Sequence, residues 1–260
     1  MQSLYDYLSS NVEDIAPLLS LTLGKNSAWL LANSNYQLKN QEKKHLDALI
    51  IQRKKGIPFA YLSGTKGFYH LDFKVTPDTL IPRPETELLI DIALDLFKNK
   101  PCELLDLGTG SGIIAITLAD KNPQWQVSAT DFSAAALTVA KQNATSNIHF
   151  QQGDWLDAVK NQSFDLIISN PPYVEEDDPH LKQLTHEPIS ALASGKDGLD
   201  DIRTIINDAP KHLNPAGYLL LEHGYHQQAQ IVDLLAEDFH YIQTFRDYNT
   251  QDRAILAQLQ

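Results

Sequence analysis

The first 57 residues carry apolar side chains at spacings near three and four, as Leu46, Leu49 and Ile50 show. This spacing is typical of amphipathic helices, and short polar breaks separate the apolar segments. The pattern predicts a small helical bundle domain, which we place at residues 1–62. Between residues 64 and 75, apolar or aromatic residues alternate with polar ones, which predicts a short β-hairpin.

A stiff connector follows the predicted hairpin. Pro82 and Pro84 flank Arg83, and each proline fixes its own backbone φ angle and donates no N–H. Pro84 also suits the first turn of the apolar helix that follows it. We therefore predict a β-hairpin and proline-containing linker at residues 63–84 and a second, catalytic domain at residues 85–260.

Beyond residue 100, strand-like apolar runs alternate with helical patterns. The strands are predicted at 103–107, 126–130, 148–152, 164–169 and 218–222, with a possible antiparallel edge hairpin at 241–246 and 254–257. Helices are predicted at 113–119, 134–143, 202–212 and 227–239. This alternation predicts an α/β fold with a mostly parallel, Rossmann-like sheet of seven strands covered on both faces.

Composition and charge restrict the function. Hydrophobic content of 43% and charged content of 21% are ordinary for a globular protein, while the net charge of -12 argues against gripping phosphate backbones. A single cysteine, Cys102, excludes an intrachain disulfide and fits a reducing cytosolic compartment. His180, His186 and His223 lack metal-ligand spacing, so we predict no metal site. Without a signal peptide or an apolar run of about 18 residues, we expect a cytoplasmic protein.

A glycine-rich loop follows the strand predicted at 103–107. Its glycines, Gly108, Gly110 and Gly112, have the spacing G-x-G-x-G, whereas the dinucleotide fingerprint G-x-G-x-x-G would need its third glycine at position 113. Asp106 lies just before the loop, where its carboxylate would repel a phosphate. A cationic ligand that carries adenosine fits this charge better, and S-adenosylmethionine has both a sulfonium and an ammonium group.

The next two predicted strands also end in side chains suited to adenosine. Asp131 lies about twenty residues beyond the glycines, where a carboxylate can accept both ribose hydroxyls, although it could also cap the next helix. Asp154 offers an acceptor for an adenine amine, and the Trp155 ring can pack on the adenine face. Consecutive strand ends of a parallel sheet meet at one crevice, so we expect these residues to form one site.

The strand predicted at 164–169 ends at an amide, two prolines and a tyrosine. Asn170 has a side-chain carbonyl and an NH₂ group, and the Pro171 carbonyl adds a second acceptor, so a planar amino group could be held by both its hydrogens. Pro172 stiffens this exit, and Tyr173 can cover the flat face of the bound group. A strand with a simple proline turn is the alternative. The acidic loop 175–187 is either solvated or a mobile flap.

Together these motifs resemble a known family. The chain resembles class I S-adenosylmethionine-dependent methyltransferases with an NPPY motif, specifically release factor glutamine methyltransferases of the HemK/PrmC type. The resemblance rests on the N-terminal helices and on residues 68–69, 80–87, 106–112, 154–155, 170–173, 198–200 and 221–224. The combination of 81–87 with 222–224 is more specific than the glycine loop or the NPPY motif alone.

The resemblance implies a substrate and a set of site residues. The substrate is the glutamine of the Gly-Gly-Gln motif in class 1 peptide chain release factors, methylated on its side-chain nitrogen. Contacts with S-adenosylmethionine fall on Gly108, Thr109, Gly110, Ser111, Gly112, Asp131, Trp155 and Asn170. To these we add Asp106, for its charge beside the loop, and Asp154, as the acceptor for the adenine amine. Contacts with the glutamine fall on Asn170, Pro171, Pro172 and Tyr173, with Asn170, Pro171 and Tyr173 as the catalytic group.

Two other functions remain open. A nucleic-acid amino methyltransferase would use the same motif on a flipped base, but the negative charge and the absence of a basic inserted domain weigh against it. A non-catalytic methyltransferase-like module would use the helical N-terminus to recognise a protein, but the intact glycines, Asp131 and Asn170 weigh against that function. We expect a monomer that contacts release factors and neither membrane nor nucleic acid directly.

Overall fold

The computed structural model describes residues 3–145 and 147–260, and the chain divides into two compact units, Met1–Thr65 and Lys66–Gln260. The first unit consists of helices α1 (Leu4–Leu8), α2 (Ile15–Leu23), α3 (Ser27–Ala32), α4 (Asn40–Lys54) and α5 (Phe59–Ser63). Their apolar faces share a core that includes Leu18, Leu30 and Leu46. The predicted helical N-terminal region is confirmed, while the predicted domain limits stay a prediction.

Local signals in the first unit set where its helices begin and end. The Asn26 side chain accepts a hydrogen bond from the Trp29 amide at 2.9 Å, which caps the start of α3. Helix α2 ends at Gly24, whose φ of 62° lies in the left-handed region that glycine tolerates best. These caps explain why the apolar pattern of the first unit breaks into short helices.

The predicted hairpin is present as strands β1 (Thr65–Phe68) and β2 (Leu71–Lys74), which pair with each other. A 3₁₀ turn at Pro84–Thr86 then leads into helix α6 (Glu87–Leu96). Pro84 is the first residue of this turn, so the proline stands one turn ahead of the α-helix rather than inside it. Its missing N–H costs nothing at that position.

A larger sheet forms the centre of the second unit. Its strands are β3 (Glu103–Leu107), β4 (Gln126–Asp131), β5 (His149–Gln152), β6 (Phe164–Ser169), β7 (Leu213–Glu222), β8 (Phe239–Arg246) and β9 (Asp252–Leu259). Among the described residues the order is β5-β4-β3-β6-β7-β9-β8. Strands β3 to β7 are parallel, and β9 runs antiparallel to both β7 and β8. The predicted mostly parallel, seven-stranded sheet with an antiparallel edge hairpin is confirmed.

Helices cover both faces of this sheet, because its strands are apolar on both sides. Side chains alternate along each strand: Leu104 belongs to the core of one face and Leu105 to the core of the other. The remaining helices are α7 (Ile113–Lys121), α8 (Ala134–Asn143), α9 (Asp200–Asp208) and α10 (Gln228–Leu235). Helices α6 and α7 contribute to the first core, and α9 and α10 contribute to the second.

Two predicted helix ends were wrong. The helix predicted at 202–212 ends as an α-helix at Asp208, and a 3₁₀ turn at Ala209–Lys211 replaces its last residues because Pro210 has no N–H to donate. The helix predicted at 227–239 ends at Leu235. Phe239 is buried at 2% exposure as the first residue of β8, so its apolar side chain serves a strand.

The strand order reverses beside β3. The chain places β4 and β5 on one side of β3 and then returns to place β6 on the other. Open α/β sheets bind ligands in the crevice outside the carboxyl ends of the strands at such a switch point. The glycine loop after β3 and Asn170 after β6 therefore face one edge of the sheet.

Candidate active site

A cavity of about 540 Å³ opens at this switch point, a size typical of a cofactor site. It lies at the carboxyl ends of β3, β4, β5 and β6. Of the residues predicted for the site, those that line it are Gly108, Gly110, Asp131, Asp154, Trp155, Asn170 and Pro172. The structure thus brings together residues from four strand ends that are far apart in the sequence.

The glycine loop needs glycine for two different reasons. Gly108 has a φ of 69°, and a Cβ added there would lie 3.2 Å from the Trp155 ring. Gly112 has a φ of 89°, and a Cβ there would lie 2.6 Å from the Ile116 Cδ1 atom. Gly108 leaves the space beside the Trp155 ring free of a side chain, and Gly112 lets helix α7 begin without a clash with Ile116.

Asp131 ends β4 and holds the loop from the opposite side. Its Oδ2 atom accepts from the Gly110 amide and its Oδ1 atom from the Ser133 amide, both at 2.8 Å. Burial raises the pKa of this carboxyl. The cap of helix α8 is Ser133, whose hydroxyl accepts from the Ala136 amide, so the helix-cap alternative for Asp131 is not needed. Each carboxylate oxygen keeps lone-pair capacity for a ribose hydroxyl.

Trp155 is fixed at the cavity wall by a residue that the sequence did not indicate. Its backbone φ is 40°, a value that side chains other than glycine rarely adopt. Its Nε1 atom donates to Asp201 Oδ1 at 3.0 Å, and Asp201 itself lines the cavity. Asp154 also lines the cavity and is exposed, which leaves its carboxylate available to a ligand.

The charge of the cavity matches a cationic ligand. Four carboxylates line it, from Asp78, Asp131, Asp154 and Asp201, and none of the described lining residues is Lys, Arg or His. Such a wall repels phosphate and attracts a sulfonium and an ammonium group. The residues present therefore fit S-adenosylmethionine. In the part of the chain that the structure describes, no three His, Cys, Asp or Glu side chains form a group that could hold a metal.

Four residues predicted to contact the cofactor lie behind the cavity wall. Asp106, Thr109, Ser111 and Gly112 are buried and do not line the cavity. Asp106 Oδ2 accepts from the Thr109 hydroxyl at 2.6 Å and from the Ala115 amide at 3.1 Å, so this carboxylate shapes the loop and the start of α7. Burial raises the pKa of Asp106 to about 7. Their role as cofactor contacts stays a prediction.

Asn170 is half-buried at the end of β6 and lines the cavity. Its Nδ2 atom donates to Thr86 Oγ1 at 3.0 Å. Pro172 lines the cavity too, whereas Pro171 and Tyr173 lie outside the lining. The Tyr173 hydroxyl donates to Glu222 Oε1 at 3.1 Å, and burial raises its pKa.

The backbone after Asn170 is anchored by residues that the sequence analysis missed. Gln227 Nε2 donates to the Tyr173 carbonyl at 3.0 Å, and its Oε1 accepts from the Gly224 amide at 2.8 Å. A Cβ on Gly198 would lie 2.2 Å from that same Tyr173 carbonyl oxygen. The motifs at 198–200 and 221–224 indicated this region, but nothing in the sequence indicated Gln227.

The acidic segment after Tyr173 has two kinds of carboxylate. Glu175, Glu176 and Asp177 are exposed, but Glu187 is buried. Glu187 Oε1 accepts from Arg83 at 2.5 Å, and its Oε2 accepts from the Ile81 amide at 2.9 Å. The end of the acidic loop is therefore tied to the proline-containing connector. The two alternatives for this loop, solvated or a mobile flap, both stay predictions.

The strand order, with an acidic cavity at its switch point, is that of a class I methyltransferase fold. Residues 85–199 match the family model described as methyltransferase small domain, and residues 6–64 match the PrmC N-terminal domain. A solved methyltransferase from Pyrococcus furiosus has the same fold, with 21% identity, a TM-score of 0.58 and coverage of 80% of this chain and 98% of that one.

Curated relatives define the family more closely. The release factor glutamine methyltransferase of Coxiella burnetii is 43% identical over 94% of this chain and 90% of its own length. The enzyme of that name from Escherichia coli is 40% identical over 94% of this chain and 91% of its own length. The chain belongs to the release factor glutamine methyltransferase family. It is a methyltransferase whose cofactor is S-adenosylmethionine.

Proposed function

We propose that this protein transfers a methyl group from S-adenosylmethionine to the side-chain nitrogen, N5, of the glutamine in the Gly-Gly-Gln motif of class 1 peptide chain release factors. Family membership supports the substrate class. The observation that carries the chemistry is the position of Asn170, which ends β6 at the wall of the acidic cavity. There a substrate amide and the cofactor would meet.

The cavity residues have separate roles toward the cofactor. When bound, S-adenosylmethionine supplies an activated methyl group on a positively charged sulfur. The backbone at Gly108 and Gly110 allows close approach, Asp131 accepts the ribose hydroxyls, Asp154 accepts from the adenine amine and the Trp155 ring packs against the adenine. Asp106, Thr109, Ser111 and Gly112 build the loop from behind.

Catalysis depends mainly on orientation. A carboxamide nitrogen is a poor nucleophile because its lone pair is delocalised into the carbonyl. The Asn170 Oδ1 atom and the Pro171 carbonyl accept the two N–H bonds, favour a pyramidal nitrogen and aim its lone pair at the methyl carbon. Tyr173 covers the amide plane. S-adenosylmethionine would supply the methyl group to this nitrogen and keep the electron pair of its sulfur–carbon bond, and the methylated nitrogen would lose a proton to water.

Charge favours a protein substrate over a nucleic acid. Residues 1–65 contain seven Lys and Arg against five Asp and Glu, so residues 66–260 contain 14 Lys and Arg against 28 Asp and Glu. The acidic excess thus belongs to the unit that carries the cavity. Binding to a phosphate backbone needs the opposite charge. The intact cavity likewise argues against a non-catalytic binding module.

We propose further that residues 85–260 form the catalytic domain and that the protein works as a cytoplasmic monomer. The free thiol of Cys102 is buried, and a reduced cysteine fits that compartment. Among the described residues, no helix has both the length and the apolar character needed to span a bilayer.

The substrate assignment is tested with radiolabelled S-adenosylmethionine. The acceptors are a purified class 1 release factor, the same factor with the Gly-Gly-Gln glutamine replaced by glutamate, and duplex DNA. We expect label on the intact factor alone. Label on DNA or on the substituted factor would contradict the proposal. So would an absence of label from all three acceptors while calorimetry shows that the cofactor binds.

A further inference from the structure

The side-chain amide of Asn170 has two chemically different ends, and only one suits the substrate. An incoming amide NH₂ group needs an acceptor, which is the Asn170 Oδ1 atom, whereas the Nδ2 atom would oppose it with a second donor. The backbone of β6 does not choose between the two orientations. The choice is made by whatever contacts the far side of the amide.

That contact is Thr86, the last residue of the 3₁₀ turn Pro84–Thr86. Thr86 is 0% exposed, and its Oγ1 atom accepts from Asn170 Nδ2 at 3.0 Å. With its oxygen engaged as an acceptor, the hydroxyl still has its own hydrogen to donate. A hydroxyl in this state holds the Asn170 amino group and leaves Oδ1 free for a substrate.

The Thr86 hydroxyl is close enough to the Glu222 carboxyl to lower its pKa. Glu222 is 1% exposed, and its Oε1 atom already accepts from the Tyr173 hydroxyl. An ionised carboxylate accepts hydrogen bonds and donates none. Glu222 Oε2 is buried without a hydrogen-bond partner among the described residues, so the ionised carboxylate offers it as an acceptor for the Thr86 hydrogen. Hydrogens can then run in one direction, from Asn170 to Thr86 to Glu222 and from Tyr173 to Glu222.

A nearby cation supports the ionised state of Glu222. Burial raises the pKa of Glu222 to about 7, and the charge of Arg253 lowers it. Arg253 is itself held, because its Nε donates to Asp247 at 3.2 Å and its Nη1 donates to the His223 carbonyl at 3.1 Å. The charge of Glu85 raises the pKa of Glu222. The charge of Arg253 thus offsets part of the free-energy cost of burying the Glu222 carboxylate.

We propose that Thr86 and Glu222 are positioning residues that hold the Asn170 amide with its Oδ1 atom toward the substrate nitrogen. Neither residue contacts the reacting atoms. The inference rests on the proposed function, because it assigns Asn170 to the substrate amide. It also gives a role to the segment 80–87, because Thr86 in that segment contacts Asn170.

Thr86→Val tests the hydrogen bond directly, since valine has the same shape without the hydroxyl. We expect kcat for release factor methylation to fall about 30-fold, because the Asn170 side-chain amide can then rotate by half a turn and present its Nδ2 atom to the substrate. Calorimetry should give an unchanged Kd for S-adenosylmethionine. Thr86→Ser keeps the hydroxyl and should retain kcat within about threefold of the wild type.

Thr117→Val is the matched control. Thr117 is buried in α7, and its hydroxyl has no hydrogen-bond partner among the described residues, so the same substitution should leave kcat unchanged. Glu222→Gln extends the test without changing size. The new amide group can donate to Thr86 and so reverse the direction of hydrogen bonding, and we expect a loss of kcat of at least about tenfold.

Wild-type activity on the release factor separates this inference from the proposed function. If the wild type does not methylate the factor, the proposed function fails. If it does, and Thr86→Val or Glu222→Gln keeps full kcat, the positioning role is wrong. The role is equally wrong if kcat and cofactor affinity fall in parallel, or if Thr86→Ser loses as much activity as Thr86→Val. Should Thr86→Val not fold, Glu222→Gln and Thr86→Ser decide.

Discussion

Asp106 shows how much of the glycine loop is structural support. Its carboxyl is 0% exposed, one oxygen accepts two hydrogen bonds, and the Oδ1 atom has no partner among the described residues. A buried carboxyl without a full set of partners resists ionisation. Its pKa is accordingly raised to about 7 by burial.

This raised pKa makes stability depend on pH. The pKa of this carboxyl is about 7 in the folded state and 3.8 for an unperturbed aspartate, so between these pH values the folded state binds more protons than the unfolded state. Stability therefore falls as the pH rises through that window. In Asp106→Asn the amide keeps an acceptor for Thr109 and Ala115 but cannot ionise. We expect its melting temperature, relative to the wild type, to be higher at pH 8 than at pH 5.

Differential scanning calorimetry of the cofactor-free proteins at both pH values measures this difference. If Asp106→Asn only removed hydrogen bonds, it would shift the melting temperature by the same amount at both pH values. A difference between variant and wild type that does not change with pH would therefore contradict the assigned pKa.

The position of single residues at the cavity could be predicted where each strand end offers one recognisable group. Asp131, Trp155 and Asn170 were indicated in this way, and all line the cavity. Thr86 and Gln227 could not be predicted, because they act on positions 84 and 54 residues away in the sequence. A buried threonine or glutamine has no local pattern that distinguishes it from any other polar residue.

At the scale of elements, periodicity predicted the strands because parallel strands are buried on both faces and read as apolar runs. The structure has strands at Glu103–Leu107 and Phe164–Ser169, where they were predicted. Helix ends were harder to predict, because the apolar Phe239 continues the helical pattern of α10 while it packs in β8. Tertiary packing, which the local pattern does not contain, decides such residues.

The segment after β6 depends on one close backbone approach. Gly198 has a φ of 72°, and an added Cβ would lie 2.2 Å from the Tyr173 carbonyl oxygen and 2.6 Å from Gln227 Nε2. Gly198→Ala should displace this carbonyl and lower the free energy of unfolding by roughly 2–4 kcal/mol. We expect kcat to fall as well, since Asn170 and Pro171 precede Tyr173 directly.

Gly24→Ala is the control for backbone strain alone. Gly24 has a similar φ of 62°, with nothing within 4 Å of the added Cβ. Gly24→Ala should therefore lower the free energy of unfolding by only about 1 kcal/mol and leave kcat unchanged. Urea unfolding and single-turnover methylation measure the two effects. Equal losses of stability and activity in both variants would show that contact with Tyr173 is unimportant.

At the scale of the whole molecule, strand order is what assembles the site. The reversal beside β3 brings the loop at 108–112 next to Asn170, although β3 and β6 are separated by two helices and two strands in the chain. Alternation of strands and helices predicted a mostly parallel sheet, whereas the strand order was not predicted from the sequence. The packing of helices and strands within each unit decides the side-chain geometry that the sequence did not predict.

The assignment of Asn170 to the substrate, rather than to the cofactor alone, is tested most directly by Asn170→Ala. The measurement is single-turnover methylation of a release factor together with the Kd for S-adenosylmethionine, with Asn207→Ala on the exposed face of α9 as the matched control. We predict that Asn170→Ala loses at least about 100-fold in rate while its Kd stays within about threefold of the wild type. An unchanged rate, or a rate lost only in proportion to cofactor affinity, would contradict the assignment.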